Sequence, residues 1–406
     1  MKILHTSDWH LGHSLYNYNR SYEQKAFLSQ LISIVKEEQP DAFILSGDVF
    51  HYSSPTPDAQ RMYNEAMLAI HDACTPMQIV VTAGNHDSSA RLEVTGSLWE
   101  YFKVKVIGNI IRSDEGVDLD RHIIPVKGKD DVLKGYILAV PYCHPFNFPA
   151  VIEGLPRGER QDAFFKALCT RMEEINTAQV PVVMMAHLAV AGSDISGHDE
   201  TIGGMDYIPS TSLGEKWDYL ALGHIHCPQT LKIDTGTARY SGSPLPVNFD
   251  ESYPHSVTIV ELKGHLVKPE IRVVEIINPI PLVTIPKAPV PFQDALKELA
   301  GFDSTKKAYI RLNVELKDYL APDCVERASE AVKGKACKFC YIKTNRIAKE
   351  KDSGLPQMDI QTMKKKSPIE IARLYYQETV GSEMDDDLKD LLQATISEVE
   401  KEDNRN

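Results

Sequence analysis

Aspartate, histidine and asparagine recur in this chain in short polar segments that follow apolar, strand-like runs. Asp8-Trp9-His10 comes soon after Met1–Leu4, Gly47-Asp48 follows Ala42–Leu45, and Gly84-Asn85-His86-Asp87 follows Gln78–Val81. His187 closes the run Val182–Ala186, and Gly223-His224-Ile225-His226 follows Trp217–Leu222. Ligands of open sheets lie in the crevice outside the strand ends, so these segments point to one crevice with donors enough for two metal ions. The donors are hard or borderline oxygens and nitrogens, which suit Mn, Fe, Zn or Co. Two ions about 3.5–4 Å apart can hold the attacking and leaving oxygens of an in-line displacement at phosphorus. Such a pair needs a bridging carboxylate. Asp48 is the best candidate, because Gly47 leaves room for close approach and a tight turn. His224-x-His226 has period two, which on an extended strand would aim both rings the same way. Singly, each segment has a blander reading. Asp-x-His is more often a surface turn, a lone His187 more often a core histidine, and Gly84–Asp87 could be a hairpin turn. The order of the segments and their shared place after strands carry the argument.

Asp-x-His, Gly-Asp, Gly-Asn-His-Asp, a lone His and Gly-His-x-His, in that order, resemble the calcineurin-like metallophosphoesterases. Leu4–Gly12, Ser46–Phe50 and Ala221–His226 resemble one branch more closely, the SbcD family of double-strand-break repair nucleases, as do Tyr240–Pro246 and Phe249–Glu251. The resemblance implies a mixed α/β and α+β chain: a four-layer αββα sandwich, a small α+β DNA-capping domain and a C-terminal helical hairpin. It implies that Asp8, His10, Asp48 and His226 hold one divalent ion, and Asp48, Asn85, His187 and His224 a second. The ions would be Mn2+ before Mg2+, Zn2+, Fe2+ or Co2+. His86 would protonate the leaving 3′ oxygen, His51 would be a second catalytic, substrate-facing histidine, and Asp87 would orient a histidine. The implied activity is 3′–5′ double-strand exonuclease and single-strand or hairpin endonuclease. The implied partners are DNA ends and hairpins, an SbcC-type ATPase, and a second copy of the chain within a heterotetramer.

These residues need elements to hold them. Tyr22–Glu38 reads as a helix with Phe27, Leu28, Leu31, Ile34 and Val35 on one stripe, and Asp58–Ala73 reads as another. After His226 the pattern turns to strands at 230–233, 239–241, 256–262 and 271–276. Residues 1–275 would then be the metallophosphoesterase domain that the resemblance implies. Pro279, Pro281, Pro286, Pro289 and Pro291 crowd a boundary. Residues 280–346 then read β-α-β-α-β: strand 282–285, helix 292–300, strand 309–316, helix 322–332 with Pro322 in its first turn, and strand 338–344. Residues 352–366 read as a flexible linker. At 367–400, Ser367-Pro368-Ile369-Glu370 opens a helix with Ile371, Leu374 and Tyr375 on one face. Leu388, Leu391, Leu392, Ile396 and Val399 stripe a second helix. Faces of this kind behind a linker suit docking onto a partner's helices.

The chain has 406 residues and a net charge of −13. That balance argues against indiscriminate DNA affinity over the whole surface. The charge is uneven, however. Residues 381–406 carry nine acids against three bases, while 333–351 carry seven bases against Glu350 alone. Lys338, Lys343 and Arg346 in that basic strip are the candidate phosphate-backbone contacts. No apolar run approaches membrane-spanning length, and Met1 runs straight into the first ligands, so a cytoplasmic protein without signal peptide is expected. Seven cysteines at irregular spacing suggest reduced thiols, and Cys337 and Cys340 read as strand residues rather than a zinc pair. A nucleotide or phosphoprotein phosphoesterase, or a catalytically dead scaffold, are the alternatives. The former needs no capping module or tail helices, and the latter needs no complete ligand set.

Overall fold

The computed structural model describes residues 1–113, 116–197, 207–233, 236–316 and 319–346, with eleven further residues between 369 and 392. In chain order its principal elements begin with β1 (Lys2–Thr6), α1 (Ser21–Glu38), β2 (Ala42–Ser46), α2 (Pro57–Ala73), β3 (Gln78–Thr82) and β4 (Val104–Ile107). There follow β5 (Ile123–Lys127), β6 (Leu133–Ala139), α3 (Arg160–Ile175), β7 (Val182–His187), β8 (Tyr219–Gly223), β9 (Gln229–Leu231) and β10 (Thr237–Tyr240). Then come β11 (Ser256–Glu261), β12 (Glu270–Glu275), β13 (Leu282–Val290), α4 (Phe292–Ala300), β14 (Tyr309–Leu316), α5 (Cys324–Ala331) and β15 (Lys338–Arg346).

Strands buried on both faces read as unbroken apolar runs, and here they form two six-stranded sheets. One has the order β12-β11-β1-β2-β3-β4, the other β9-β10-β8-β7-β6-β5. In the first, β1 to β4 run parallel and β11 pairs antiparallel with β1. In the second, β6, β7, β8 and β10 run parallel. Alternation along each strand divides its side chains between two cores. Ile3, Ile44 and Val80 meet Ile137, Val183, Met185 and Tyr219 between the sheets. Leu4, Phe43, Leu45 and Val81 pack outward on Phe27 and Leu31 of α1 and Met67 and Ile70 of α2. Leu138, Met184 and Leu220 pack on Phe164, Phe165 and Leu168 of α3. The result is the four-layer helix–sheet–sheet–helix sandwich expected.

The third sheet, β13-β14-β15, is wholly parallel, with α4 and α5 as its crossovers. Two expectations change in detail. Pro286 and Pro289 lie inside β13 rather than at a domain boundary; β13 is an edge strand with an irregular register there, where missing N–H groups are tolerated. Pro322 precedes α5, which starts at Cys324 after Asp323. This sheet packs on the sandwich: Tyr309 donates to Glu23 at 2.7 Å and Tyr18 to the Phe339 carbonyl at 2.9 Å. Residues 1–346 form one compact unit. Among the described residues no helix is long and apolar enough to cross a membrane. All seven cysteines are free, with Cys337 buried beside β15 and Cys340 within it. The expected linker at 352–366 and most of the expected helical segment 367–400 lie outside the described residues.

Candidate metal centre

The parallel strands of both sheets release their chain at the same edge, which brings the seven donor residues together. Asp8 and His10 follow β1, Asp48 follows β2, Asn85 follows β3, His187 ends β7, and His224 and His226 follow β8. Three donor groups lie close enough to share an ion, with atoms within 4.8 Å of one another: Asp8, His10 and His226; Asp8, Asp48 and His187; and His10, His51 and His86. Asp8, His10, Asp48 and His187 are at most 2% exposed. Such buried polar side chains demand partners.

The loops reach this arrangement through unusual backbone. Asp8 (φ 54°), His10 (φ 45°), Asp48 (φ 51°) and His224 (φ 95°) all occupy left-handed conformations. Strain of this kind persists only where surrounding structure over-determines it. Backbone bonds pin the loops to one another: Asp8 and His10 donate to the Gly47 and Asp48 carbonyls at 3.0 Å. Gln24 of α1 accepts from Gly12 and donates to the His10 carbonyl. Gly84 carries no side chain because a Cβ there would overlap the Asp48 carboxylate, and one on Gly47 would overlap the His187 ring.

Hydrogen bonds fix which ring atoms face inward. His187 Nδ1 lies 2.9 Å from the Ser46 carbonyl, which can only accept, so Nδ1 carries the hydrogen. The lone pair of a neutral ring then sits on Nε2. Nε2 lies 2.9 Å from Asn85 Oδ1 and 3.5 Å from Asp48 Oδ2, both acceptors. His226 repeats the pattern: Nδ1 donates to Glu251 Oε1 at 2.9 Å, and Nε2 faces His10 Nε2 at 3.1 Å. Asn85 Oδ1 also lies 3.0 Å from His224 Nδ1. Acceptors turned toward acceptors need a proton or a cation between them. Donors bound ~2.1 Å from one ion, ~90–110° apart, would themselves be ~3.0–3.4 Å apart. The separations here agree with that, so the residues fit divalent metal.

The electrostatics give the proton alternative. Burial would push His187 down, but the Asp48 carboxylate outweighs it and lifts the ring to about 9. Burial likewise opposes charge on His226, and Glu251 overrides it, again to about 9. Burial opposes ionisation of Asp48 too, yet His187, His10 and His86 hold its carboxyl well below the usual range. His10 is driven well below the usual histidine value by burial, despite Asp48. His51 falls to about 4 through burial and the neighbouring His86.

His86 and His51 flank a cavity of about 290 Å³, together with His10, Asp48, Asn85, His224, His226, Tyr16 and Asn248. The His86 backbone N–H donates to Asp48 at 2.9 Å, and its Nδ1 donates to the His51 carbonyl at 2.8 Å. Nε2 is therefore the atom of His86 that can exchange a proton with a bound substrate. The His51 ring stacks beside it, 5.3 Å between centroids.

Two expectations are corrected here. Asp87 orients no histidine; it accepts from the backbone N–H groups of Gly84, Val49 and Phe50 and so clamps the loops after β2 and β3. His224 and His226 do not share a strand face, because β8 ends at Gly223 and the chain turns left-handed at His224. Glu251 is the functional residue that spacing did not reveal, lying in a loop 25 residues beyond His226. Of the basic strip, Lys343 pairs with Asp250 at 3.1 Å, Lys338 lies over the rings of Tyr18 and Tyr309, and Arg346 is exposed at the end of β15. In the tail, Leu388, Leu391 and Leu392 are helical and Leu391 is 65% exposed, while Ile371, Leu374, Tyr375 and Ile396 lie outside the described residues.

The chain is similar to known proteins. Residues 1–228 match the calcineurin-like phosphoesterase family, and residues 278–380 match the type 5 capsule protein repressor C-terminal domain. The SbcD subunit of nuclease SbcCD from Rhodobacter capsulatus is 35% identical over 304 residues, 72% of this chain and 74% of that one. Its namesake from Bacillus subtilis is 29% identical over 412 residues, 99% of this chain and 100% of that one. A solved dimetal phosphatase from Danio rerio aligns with 67% of this chain and 98% of its own at 13% identity, with a TM-score of 0.40.

Proposed function

This chain belongs to the calcineurin-like phosphoesterases, in the SbcD branch, and from that premise we propose that it is the catalytic subunit of a two-metal DNA nuclease. The observation that carries this reading is the inward convergence of Asp8, His10, Asp48, Asn85, His187, His224 and His226, with acceptor atoms facing one another across one buried site. Asp8, His10, Asp48 and His226 would hold one ion, and Asp48, Asn85, His187 and His224 the other, Mn2+ in both. Bound divalent ions supply a Lewis acid at phosphorus and a nucleophilic water near neutral pH.

The chain's own side chains do the rest. Asp48, held ionised, would be shared by both ions, and Ser46 and Glu251 fix the ring orientations of His187 and His226. His86 presents Nε2 to the cavity and, protonated, delivers a proton to the leaving 3′ oxygen. His51 supports His86 through its backbone carbonyl and its stacked ring.

The third sheet favours a DNA substrate over a small phosphate ester, as a second body beside the cavity able to meet a duplex. Lys338, Lys343 and Arg346 on it are the proposed backbone contacts. A second copy is also proposed, and Val94 (77%), Leu98 (64%) and Tyr101 (87%) are exposed apolar side chains that it could cover. The tail stripe, Ile371, Leu374, Tyr375, Leu388, Leu391, Leu392 and Ile396, is the proposed dock for an SbcC-type ATPase, in a cytoplasmic complex acting on double-strand ends and hairpins. The test is cleavage of labelled duplex and hairpin DNA by the chain with its ATPase partner, with Mn2+ and with chelator. Mn2+-dependent cleavage supports the reading; cleavage unaffected by chelator, or none with Mn2+, overturns it.

A further inference from the structure

Resting on the proposed metal site, we infer that Arg311, in the third sheet, is a positioning residue for the metal centre, acting through the segment Phe249-Asp250-Glu251. Arg311 lies on β14 and is 6% exposed. Its Nη1 donates to Asp250 Oδ1 at 2.7 Å and to the Tyr341 hydroxyl at 3.0 Å. Its Nη2 donates to the Phe249 carbonyl at 3.3 Å, and its Nε to Thr284 at 3.0 Å. The guanidinium also lies over the Phe249 ring, 5.3 Å from its centroid. One planar fork therefore grips a side chain and a backbone carbonyl of two successive residues in fixed directions while its Nε holds Thr284, a rigid geometry that a flexible ammonium does not reproduce.

The next residue is Glu251. Its Oε1 accepts from His226 Nδ1 and from Asn248 Nδ2, and its Oε2 accepts from the Val247 N–H and the Ser243 hydroxyl. Asn248 in turn accepts from the Asp250 N–H at 2.8 Å. The loop that carries Glu251 is thus held from the metal side by His226 and from the third sheet by Arg311. Val247 and Asn248, which immediately precede this segment, line the cavity. A metal-ligating histidine depends on the partner of its other ring nitrogen, and loss of such partners typically weakens metal binding by about 10–100-fold. Lys343 also meets Asp250 Oδ1 at 3.1 Å, but releasing Arg311 frees the Phe249 carbonyl and removes one of the two cations on Asp250, so the segment loosens and Glu251 with it. His226 then loses its fixed tautomer and direction. The third sheet on this account sets metal affinity as well as covering the substrate.

Arg311→Lys tests this in the full chain, since it keeps the buried charge but not the fork; Asp250→Ala removes the other end of the grip. Mn2+ affinity is measured by calorimetry on metal-stripped protein, with circular dichroism showing that each variant is folded. We expect both variants to bind one Mn2+ about tenfold more weakly. Glu251→Gln should do the same or worse, and Arg311→Lys combined with Glu251→Gln should be no weaker than Glu251→Gln alone, because both act along one path. A merely structural role would lower the melting temperature without that non-additivity. Folded Arg311→Lys and Asp250→Ala with unchanged Mn2+ affinity, or effects that add in the combined variant, overturn the inference. Failure of the proposed function shows differently, as no Mn2+ binding by the unaltered chain.

Discussion

Metal and protons must compete for the same lone pairs. In the metal-free chain His187 and His226 are lifted to about 9 by Asp48 and Glu251, against the effect of burial. Both rings are then protonated at pH 7, and both must lose a proton to bind an ion through Nε2. Displacement of that size at pH 7 corresponds to a few kcal/mol per ring, so on the order of 5 kcal/mol of binding is spent on deprotonation. Mn2+ affinity should therefore rise steeply from pH 6.5 toward 9 and flatten above it, with a slope of about two protons per saturated chain. The sign for folding is opposite. Each ring's folded value stands above its unfolded value near 6.5, so its stabilisation is complete below 6.5 and is lost as pH rises through 9. The metal-free chain should melt at lower temperature at pH 9 than at pH 6.5, and saturating Mn2+ should reverse that trend. Calorimetric titration at pH 7.5 in two buffers of different ionisation enthalpy counts the protons released. Full Mn2+ occupancy with less than half a proton released would refute the reasoning, because the two inward nitrogens would then already be bare.

Asp48→Ala should abolish hydrolysis and lower the affinity for both ions, whereas His10→Ala should weaken chiefly one; metal titration of each variant separates them. Gly84→Ala should behave like a damaged ligand set, with Mn2+ affinity reduced, since its Cβ takes the place of the Asp48 carboxylate. Deleting residues 367–400 should leave hydrolysis of a small chromogenic diester intact but abolish co-purification with the ATPase partner. Leu392→Glu should mimic that loss, because an unpaired charge in a desolvated groove costs several kcal/mol.

The donor residues were legible in the sequence because chemistry and topology coincide there. A polar Asp or His directly after Val182–Ala186 or Ala42–Leu45 has to emerge at a strand end, and parallel strands emerge on one side. The α1 stripe, the α2 helix and the β-α-β-α-β order of 280–346 were legible for the same reason, since periodicity reports which face is buried. What was not legible depends on contacts across elements. Glu251 is 25 residues from the ring it orients, and although Phe249–Glu251 resembles the family, nothing in that segment tells which ring its carboxylate meets. Asp87 sits beside His86 in sequence, yet its carboxylate turns to backbone N–H groups brought in by β2. Lys343 belongs to a basic run that looks solvated, but tertiary packing sets Asp250 against it. The left-handed conformations at Asp8, His10, Asp48 and His224 leave no mark in residue type, because none of the four is glycine.

The central claim is that this one buried cluster performs metal-dependent phosphodiester hydrolysis with His86 as proton donor. The most direct test is to load the chain and His86→Gln with Mn2+, measure bound metal and the rate of diester and DNA hydrolysis, and compare. The account predicts two Mn2+ ions in both proteins and a turnover about 10²–10⁴-fold lower in the variant. Two ions bound with turnover within a few-fold of the unaltered chain would contradict the role of His86, and a chain that binds no Mn2+ would contradict the site itself.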